Sequence, residues 1–286
     1  MRHALVFGAS GQIGEPLLRR LQGAGWRITA LTRDDRNDEP GLHWLRGEFA
    51  HLPPLPRSVD AIVSCGPLDL FSHWYARTSL QAGRVVAFSS TSAEVKSASP
   101  DDAERDVAAR LQRGEARVFD AARERGAAAT LLRPTLVYGA GRDHTLTRIA
   151  AMARRWGRMV LPRRANGLRQ PVHVGDLASA AFAAVDAPGL VQGTYALGGG
   201  ETLAYREMIA RVLACLEPPP SLVELPGPMF ELALKAAQSR GIATGLGREA
   251  VARMRRDLVF DLAPARRDLG YAPRPFRPMA AMFEPR

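Results

Sequence analysis

Ala4-Leu5-Val6-Phe7-Gly8-Ala9-Ser10-Gly11-Gln12-Ile13-Gly14 stands near the start of the chain, and its reading decides the fold. The apolar run ending at Phe7 is too short for a helix and suits a strand buried on both faces. Three glycines at intervals of three follow at once, and a helical pattern begins at the last of them. Glycines here permit a tight turn, let the backbone approach a ligand closely, and seat the helix against the strand. The free amides and positive dipole end of that helix favour an anion. A strand, this loop and a helix in that order therefore read as a pyrophosphate cradle, with Gly8, Ser10, Gly11, Gln12, Ile13 and Gly14 as its contacts.

Outward from the loop, short apolar runs alternate with helical patterns through the first 135 residues. Strands are expected at Ala4–Phe7, Arg27–Leu31, Leu42–Leu45, Val59–Ser64, Arg84–Phe88 and Ala128–Leu132. Helices are expected at Gly14–Gln22, Leu68–Gln81 and Asp101–Arg125. Pro100, Asp101 and Asp102 make a good start for the last helix, because acidic groups there meet unpaired amides. This alternation specifies an α/β fold, a Rossmann doubly wound parallel sheet flanked by helices. After Tyr138, helices broken by Pro and Gly take over, with strand-like Pro171–Val174 and Thr194–Leu197 between them. The expected organisation is a dinucleotide-binding domain over 1–160 and a smaller, mostly helical C-terminal substrate lobe over 161–286. The strands near 171–174 and 194–197 are expected to return to the main domain.

Composition narrows the function. No apolar run approaches the roughly 18 residues of a membrane span, and Met1-Arg2-His3 leads straight into a strand, so a cytoplasmic protein is expected. Cys65 and Cys215 lie far apart without CxxC spacing, and the six histidines lack ligand spacing, so neither a disulfide framework nor a metal is expected. The net charge is +10, yet Lys96 and Lys235 are the only lysines among 39 basic residues, leaving 37 arginines. These are scattered, with no aromatic-interleaved basic stripe, so nucleic acid is not an expected partner. A small, phosphate-bearing molecule fits the charge better. No serine elbow, P-loop or HExxH is present.

The end of the second strand, Ala30-Leu31-Thr32-Arg33, selects the dinucleotide. An acidic side chain here would take the ribose hydroxyls of NAD and repel a 2′-phosphate. Thr32 and Arg33 instead offer that phosphate a hydroxyl and a guanidinium, which favours NADP(H). The alternative is that Asp34 or Asp35 takes the ribose.

Together these features resemble the extended short-chain dehydrogenase/reductase family, which contains nucleotide-sugar epimerases and dehydratases. Besides the glycine loop, the likeness includes Gly47-Glu48-Phe49, Phe88-Ser89-Ser90-Thr91-Ser92, Leu132-Arg133-Pro134-Thr135-Leu136-Val137-Tyr138-Gly139, and Arg169-Gln170-Pro171-Val172-His173-Val174-Gly175-Asp176. The resemblance implies that Glu48 and Phe49 meet the adenine and that Cys65, Gly66, Ser89 and Pro134 border the cofactor. It matches Thr91 to a hydroxyl on the reacting oxygen and Arg169 to a substrate diphosphate contact, with Arg142 and His144 as helpers. His173 is expected to lock a strand-to-helix turn before Asp176. The resemblance also implies a homodimer, with Asp101–Arg125 as the candidate interface.

Members of that family are expected to use a Tyr-x-x-x-Lys pair. Tyr75, Tyr138, Tyr195, Tyr205 and Tyr271 are followed four residues on by Ser79, Arg142, Gly199, Ile209 and Pro275. None is lysine. Matching Glu115 and the following helix end to the family puts Val107 and Leu111 at the two positions. Other proton carriers near the strand ends are His73, Tyr75 and Tyr138. Two function classes stay open: an NADP(H)-dependent oxidoreductase or epimerase-like enzyme on a polar, nucleotide-linked substrate, and a non-catalytic dinucleotide-binding sensor or assembly protein.

Overall fold

The computed structural model describes residues 1–143, 145–239, 241 and 247–284. In chain order its elements are β1 His3–Phe7, α1 Gly14–Gly23, β2 Arg27–Thr32, β3 Leu42–Arg46, β4 Ser58–Ser64, α2 Leu68–Arg77, β5 Gln81–Phe88, α3 Ser92–Val95, α4 Asp102–Glu124 and β6 Ala128–Pro134. They continue with β7 Val137–Tyr138, α5 Leu146–Trp156, β8 Arg158–Pro162, β9 Leu168–Arg169, β10 Val172–His173, α6 Val174–Asp186, β11 Gly193–Leu197 and β12 Leu203–Ala204. The last are α7 Tyr205–Ala214, β13 Ser221–Leu225, α8 Gly227–Gln238, α9 Arg248–Arg253, α10 Ala263–Leu269 and a 3-10 turn at Ala280–Phe283.

The chain forms two units. The first holds Met1–Thr135, Val174–Leu197 and Asp261–Ala272; the second holds Leu136–His173, Gly198–Phe260 and the stretch from Pro273. The first is a seven-stranded sheet in the order β11-β6-β5-β4-β1-β2-β3, parallel throughout. Successive strands run outward in both directions from β1 and β4, so the switch point lies between their carboxyl ends, at Phe7 and Ser64.

Helix α1 buries Pro16, Leu17, Leu18 and Leu21, and its other contacts tie it to α6: Arg20 Nη2 donates to Ser179 Oγ at 2.8 Å. On the opposite side α2 and α4 pack together, and Gly114 lets α4 approach Leu68. Their apolar residues join Leu5, Phe7, Ile62 and Leu131 in one core. Helix α4 starts as the acidic run requires, with Asp101 Oδ1 accepting from the amides of Ala103 and Glu104 at 2.9 and 3.2 Å.

Two local expectations shift. The helix expected over Leu68–Gln81 stops at Arg77, because Thr78 is extended and its hydroxyl accepts from the Leu80 amide at 3.3 Å. The freed residues lengthen β5 to begin at Gln81. The strand expected over Pro171–Val174 is only β10, which pairs with β7, and Val174 already belongs to α6. The connections 33–41 and 47–57 carry no helix, and Pro53, Pro54 and Pro56 keep the second one irregular.

The second unit combines α5, α7, α8 and α9 with two-stranded pairings, β8 with β13 among them. Tyr138, Leu161, Met208, Phe276 and Phe283 lie in its own core. No helix among the described residues is long and apolar enough to cross a membrane.

Candidate functional site

Gly8 takes a left-handed φ of 66°, and a Cβ there would come within 2.8 Å of the Cys65 carbonyl carbon and the Gly66 nitrogen. A Cβ on Gly14 would stand 2.3 Å from the Gly8 carbonyl oxygen. Neither contact is tolerable, so the loop closes on itself and on the end of β4 only because these residues are glycine. The Gly11 amide donates to the Gly8 carbonyl at 3.0 Å and completes the turn. Beside it, the buried Gln12 Oε1 and the Ser64 Oγ have no hydrogen-bond partner among the described residues. Unanswered polar atoms beside a loop that presents amides fit a polar, anionic ligand group.

A cleft of about 870 Å³ opens from this loop. Gly8, Ser10, Gly11, Thr32, Arg33, Glu48, Phe49 and Gly66 line it, as does the α2 face of His73, Trp74 and Arg77. Phe49 stacks on Phe7, with ring centroids 5.0 Å apart, and Trp74 packs against Phe7 at 4.4 Å. Thr32 Oγ1 donates to Ser10 Oγ at 3.2 Å and accepts from the Asp34 amide, joining the β2 end to the glycine loop. Arg36 pairs with Glu15 and Arg46 with Asp35. Arg33 is exposed on the cleft and meets no carboxylate among the described residues.

At the ends of β5 and β6 the polar groups are held by one another. Ser89 Oγ donates to Glu115 Oε1 at 2.5 Å, and Arg133 Nε donates to the same oxygen at 2.8 Å. Arg133 also pairs with Glu94 and with Glu115 Oε2, and these bonds hold its guanidinium even more firmly protonated than usual. Thr91 is buried, and its hydroxyl donates to the Pro134 carbonyl at 3.1 Å.

The expected proton carriers separate. His73 lies in the cleft with Glu48 and Phe49, and neither Thr91 nor Pro134 lines that cleft. Tyr75 departs from expectation: it sits within the core of the first unit, stacked on Phe71 at 5.8 Å with the Arg125 guanidinium over its ring. Burial pushes its phenol up, because seven residues of helix carry it away from the carboxyl edge of the sheet. Tyr138 is buried in the core of the second unit, edge-on to His173 and Phe276. Every tyrosine of the chain is at most 7% exposed. Burial pushes the Cys65 thiol up to about 12, so it is no nucleophile.

Arg169 also departs from expectation. It is buried, with its guanidinium over the Tyr205 ring, Nη1 donating to the Leu168 and Arg256 carbonyls at 2.7 and 2.8 Å, and Nη2 to the Arg253 carbonyl at 2.5 Å. It secures the carboxyl end of α9, the part a diphosphate contact would need free. Arg142 is half-buried on the turn before α5, and His144 lies outside the described residues. On that turn Asp143, unremarked in the sequence, accepts from the amides of Thr145 and Thr147 at 3.0 and 3.1 Å and so heads α5. An acidic residue just before a helical run is the signal that marks it.

Residues 57–198 match the model of the NAD dependent epimerase/dehydratase family. An uncharacterized protein of Sinorhizobium fredii, y4nG, is 26% identical over 303 residues, covering 96% of this chain and 75% of that one. Among solved structures, MoeE5 in complex with UDP-glucuronic acid and NAD superposes with a TM-score of 0.70 at 17% identity, over 98% of this chain and 97% of its own. The UDP-glucuronic acid 4-epimerase of Bacillus cereus in complex with NAD gives 0.71 at 13% identity, over 99% and 97%. At those identities the likeness is one of fold. With the glycine loop at the switch point of a parallel sheet and the match over residues 57–198, the chain is similar to the NAD dependent epimerase/dehydratase family.

Proposed function

We propose that this protein is an NADP(H)-dependent oxidoreductase or epimerase-like enzyme acting on a polar, nucleotide-linked substrate. The MoeE5 and Bacillus cereus structures carry NAD, which supports a nicotinamide dinucleotide on the equivalent loop here. The bound cofactor supplies the hydride. The amides at the start of α1 hold the pyrophosphate, Glu48 and Phe49 border the adenine, and Cys65, Gly66, Ser89 and Pro134 border the other half. The choice of NADP(H) rests on one observation: Arg33 faces the cleft unpaired while Arg36 and Arg46 beside it are taken by carboxylates. A guanidinium left free beside Thr32 and Ser10 suits a 2′-phosphate.

Calorimetry with NADPH and NADH tests the reading. NADPH should bind the tighter, and Arg33→Ala should weaken it by about 1–3 kcal/mol through loss of a charge-assisted contact, leaving NADH nearly unchanged. Equal affinities in the unmodified protein would sink the choice.

A second reading, a non-catalytic NADP(H)-binding sensor or assembly protein, draws support from Thr91. Its hydroxyl is given to Pro134, and no tyrosine is exposed to take its part. Tight NADPH binding without turnover across a panel of sugar nucleotides and small ketones would favour it.

A further inference from the structure

A dinucleotide with its pyrophosphate on the Gly8–Gly14 loop lays its adenosine half over β2 and β3, on the side of Arg33 and Glu48. Its nicotinamide half then lies over the ends of β4, β5 and β6. Arg133 cannot release a proton, and it engages both Glu94 and Glu115. Ser89 gives its proton to Glu115 and Thr91 gives its proton to the Pro134 carbonyl. Ser90 Oγ accepts from the Ser92 amide at 3.1 Å, and beyond these groups stands the ion pair of Lys96 and Glu104.

Lys96 follows α3, which runs beside α4. Gln112 Nε2 donates to the Ala93 carbonyl at 2.8 Å, and Lys96 Nζ stands 3.8 Å from Glu104 Oε1. These two contacts bracket Val107 and Leu111, the apolar pair in the middle of that stretch of α4. Glu104 is fixed in turn by Ser99, whose hydroxyl donates to Oε2 at 2.8 Å. The Lys96 side chain is 25% exposed, sheltered yet open to exchange. Composition points the same way. A chain that uses arginine almost everywhere keeps a lysine here. An arginine would make the same ion pair, but a guanidinium does not give up a proton and an ammonium can.

Resting on the enzyme reading above, we infer that Lys96, positioned by Glu104, is the proton donor and acceptor of the reaction. In reduction, a hydride passes from NADPH to the carbonyl carbon of the substrate and the π pair moves onto oxygen. That oxygen takes a proton from the Lys96 ammonium, leaving alcohol, NADP⁺ and a neutral amine that solvent reprotonates. Oxidation runs the same steps backwards.

The full chain can be acetylated with an N-hydroxysuccinimide ester, with and without saturating NADP⁺, and its two lysines compared by peptide mass spectrometry. NADP⁺ should slow labelling of Lys96 about tenfold and leave the exposed Lys235 unchanged. In NADPH oxidation with sugar nucleotides and small ketones, Lys96→Arg and Lys96→Met should each lose on the order of 100-fold or more in kcat with NADPH affinity intact. A purely structural ion pair would be rescued by arginine, so wild-type turnover in Lys96→Arg overturns the inference. So does Lys96 labelling that ignores NADP⁺ when calorimetry shows NADP⁺ bound, and the cofactor reading then stands. No turnover in the wild-type protein sinks the enzyme reading and this inference with it; no NADP⁺ binding sinks the cofactor reading too.

Discussion

At the scale of a single residue, His3 shows how neighbours choose one protonation state. Arg27 Nη2 lies 2.8 Å from Nδ1 and can only donate, so Nδ1 accepts and Nε2 carries the proton, donating to Thr29 Oγ1 at 2.9 Å. Burial first, and the Arg27 charge second, hold the imidazole below its usual 6.5, while Asp60, which accepts from the His3 backbone amide, pulls the other way. The unfolded chain therefore takes up a proton near pH 6.5 while the folded one stays neutral. Stability contributed by neutral His3 is present above that pH and is lost as pH falls toward the folded value. The expected slope in that window is up to about 1.4 kcal/mol per pH unit. Urea unfolding at a series of pH values measures it, and His3→Gln, which cannot titrate, should flatten this part of the profile.

At the scale of elements, α4 depends on one side chain for its start. Asp101 accepts two amides that would otherwise face outward unsatisfied. Asp101→Ala should cost about 1 kcal/mol and Asp101→Ser should recover most of it, as thermal or urea unfolding would show. If alanine proved neutral, the cap would carry no weight. The end of α2 is the contrasting case. Its apolar pattern continues beyond Arg77, but Thr78 turns the backbone out of the helix, and Gln81 pairs with Ser58 in the sheet. A ladder bond to a distant strand outweighs a weak local propensity.

At the scale of the whole molecule, every residue that lines the cleft belongs to the first unit. A ligand taken there stabilises the fold that forms it. NADPH at a hundred times its Kd should add about 2.7 kcal/mol and raise Tm by roughly 5–10 °C. NADH at the same concentration should raise it less. Scanning calorimetry at several NADPH concentrations checks this, and a Tm indifferent to NADPH would mean that the cleft binds something else.

What could be read before folding was local. Gly8, Gly11 and Gly14 state their purpose within seven residues, because turn, backbone approach and helix start all depend on chain geometry close by. The β-α alternation, the parallel sheet and the acidic start of α4 were legible for the same reason. The duties of Arg169, Thr91 and Tyr75 were not. Arg169 meets carbonyls 84 and 87 residues away, and Thr91 meets one 43 residues away. A guanidinium or hydroxyl looks the same in sequence whether it faces a ligand or a backbone carbonyl. Only the tertiary structure decides which acceptor reaches it first, since a buried donor must be satisfied by whatever the fold brings within about 3 Å.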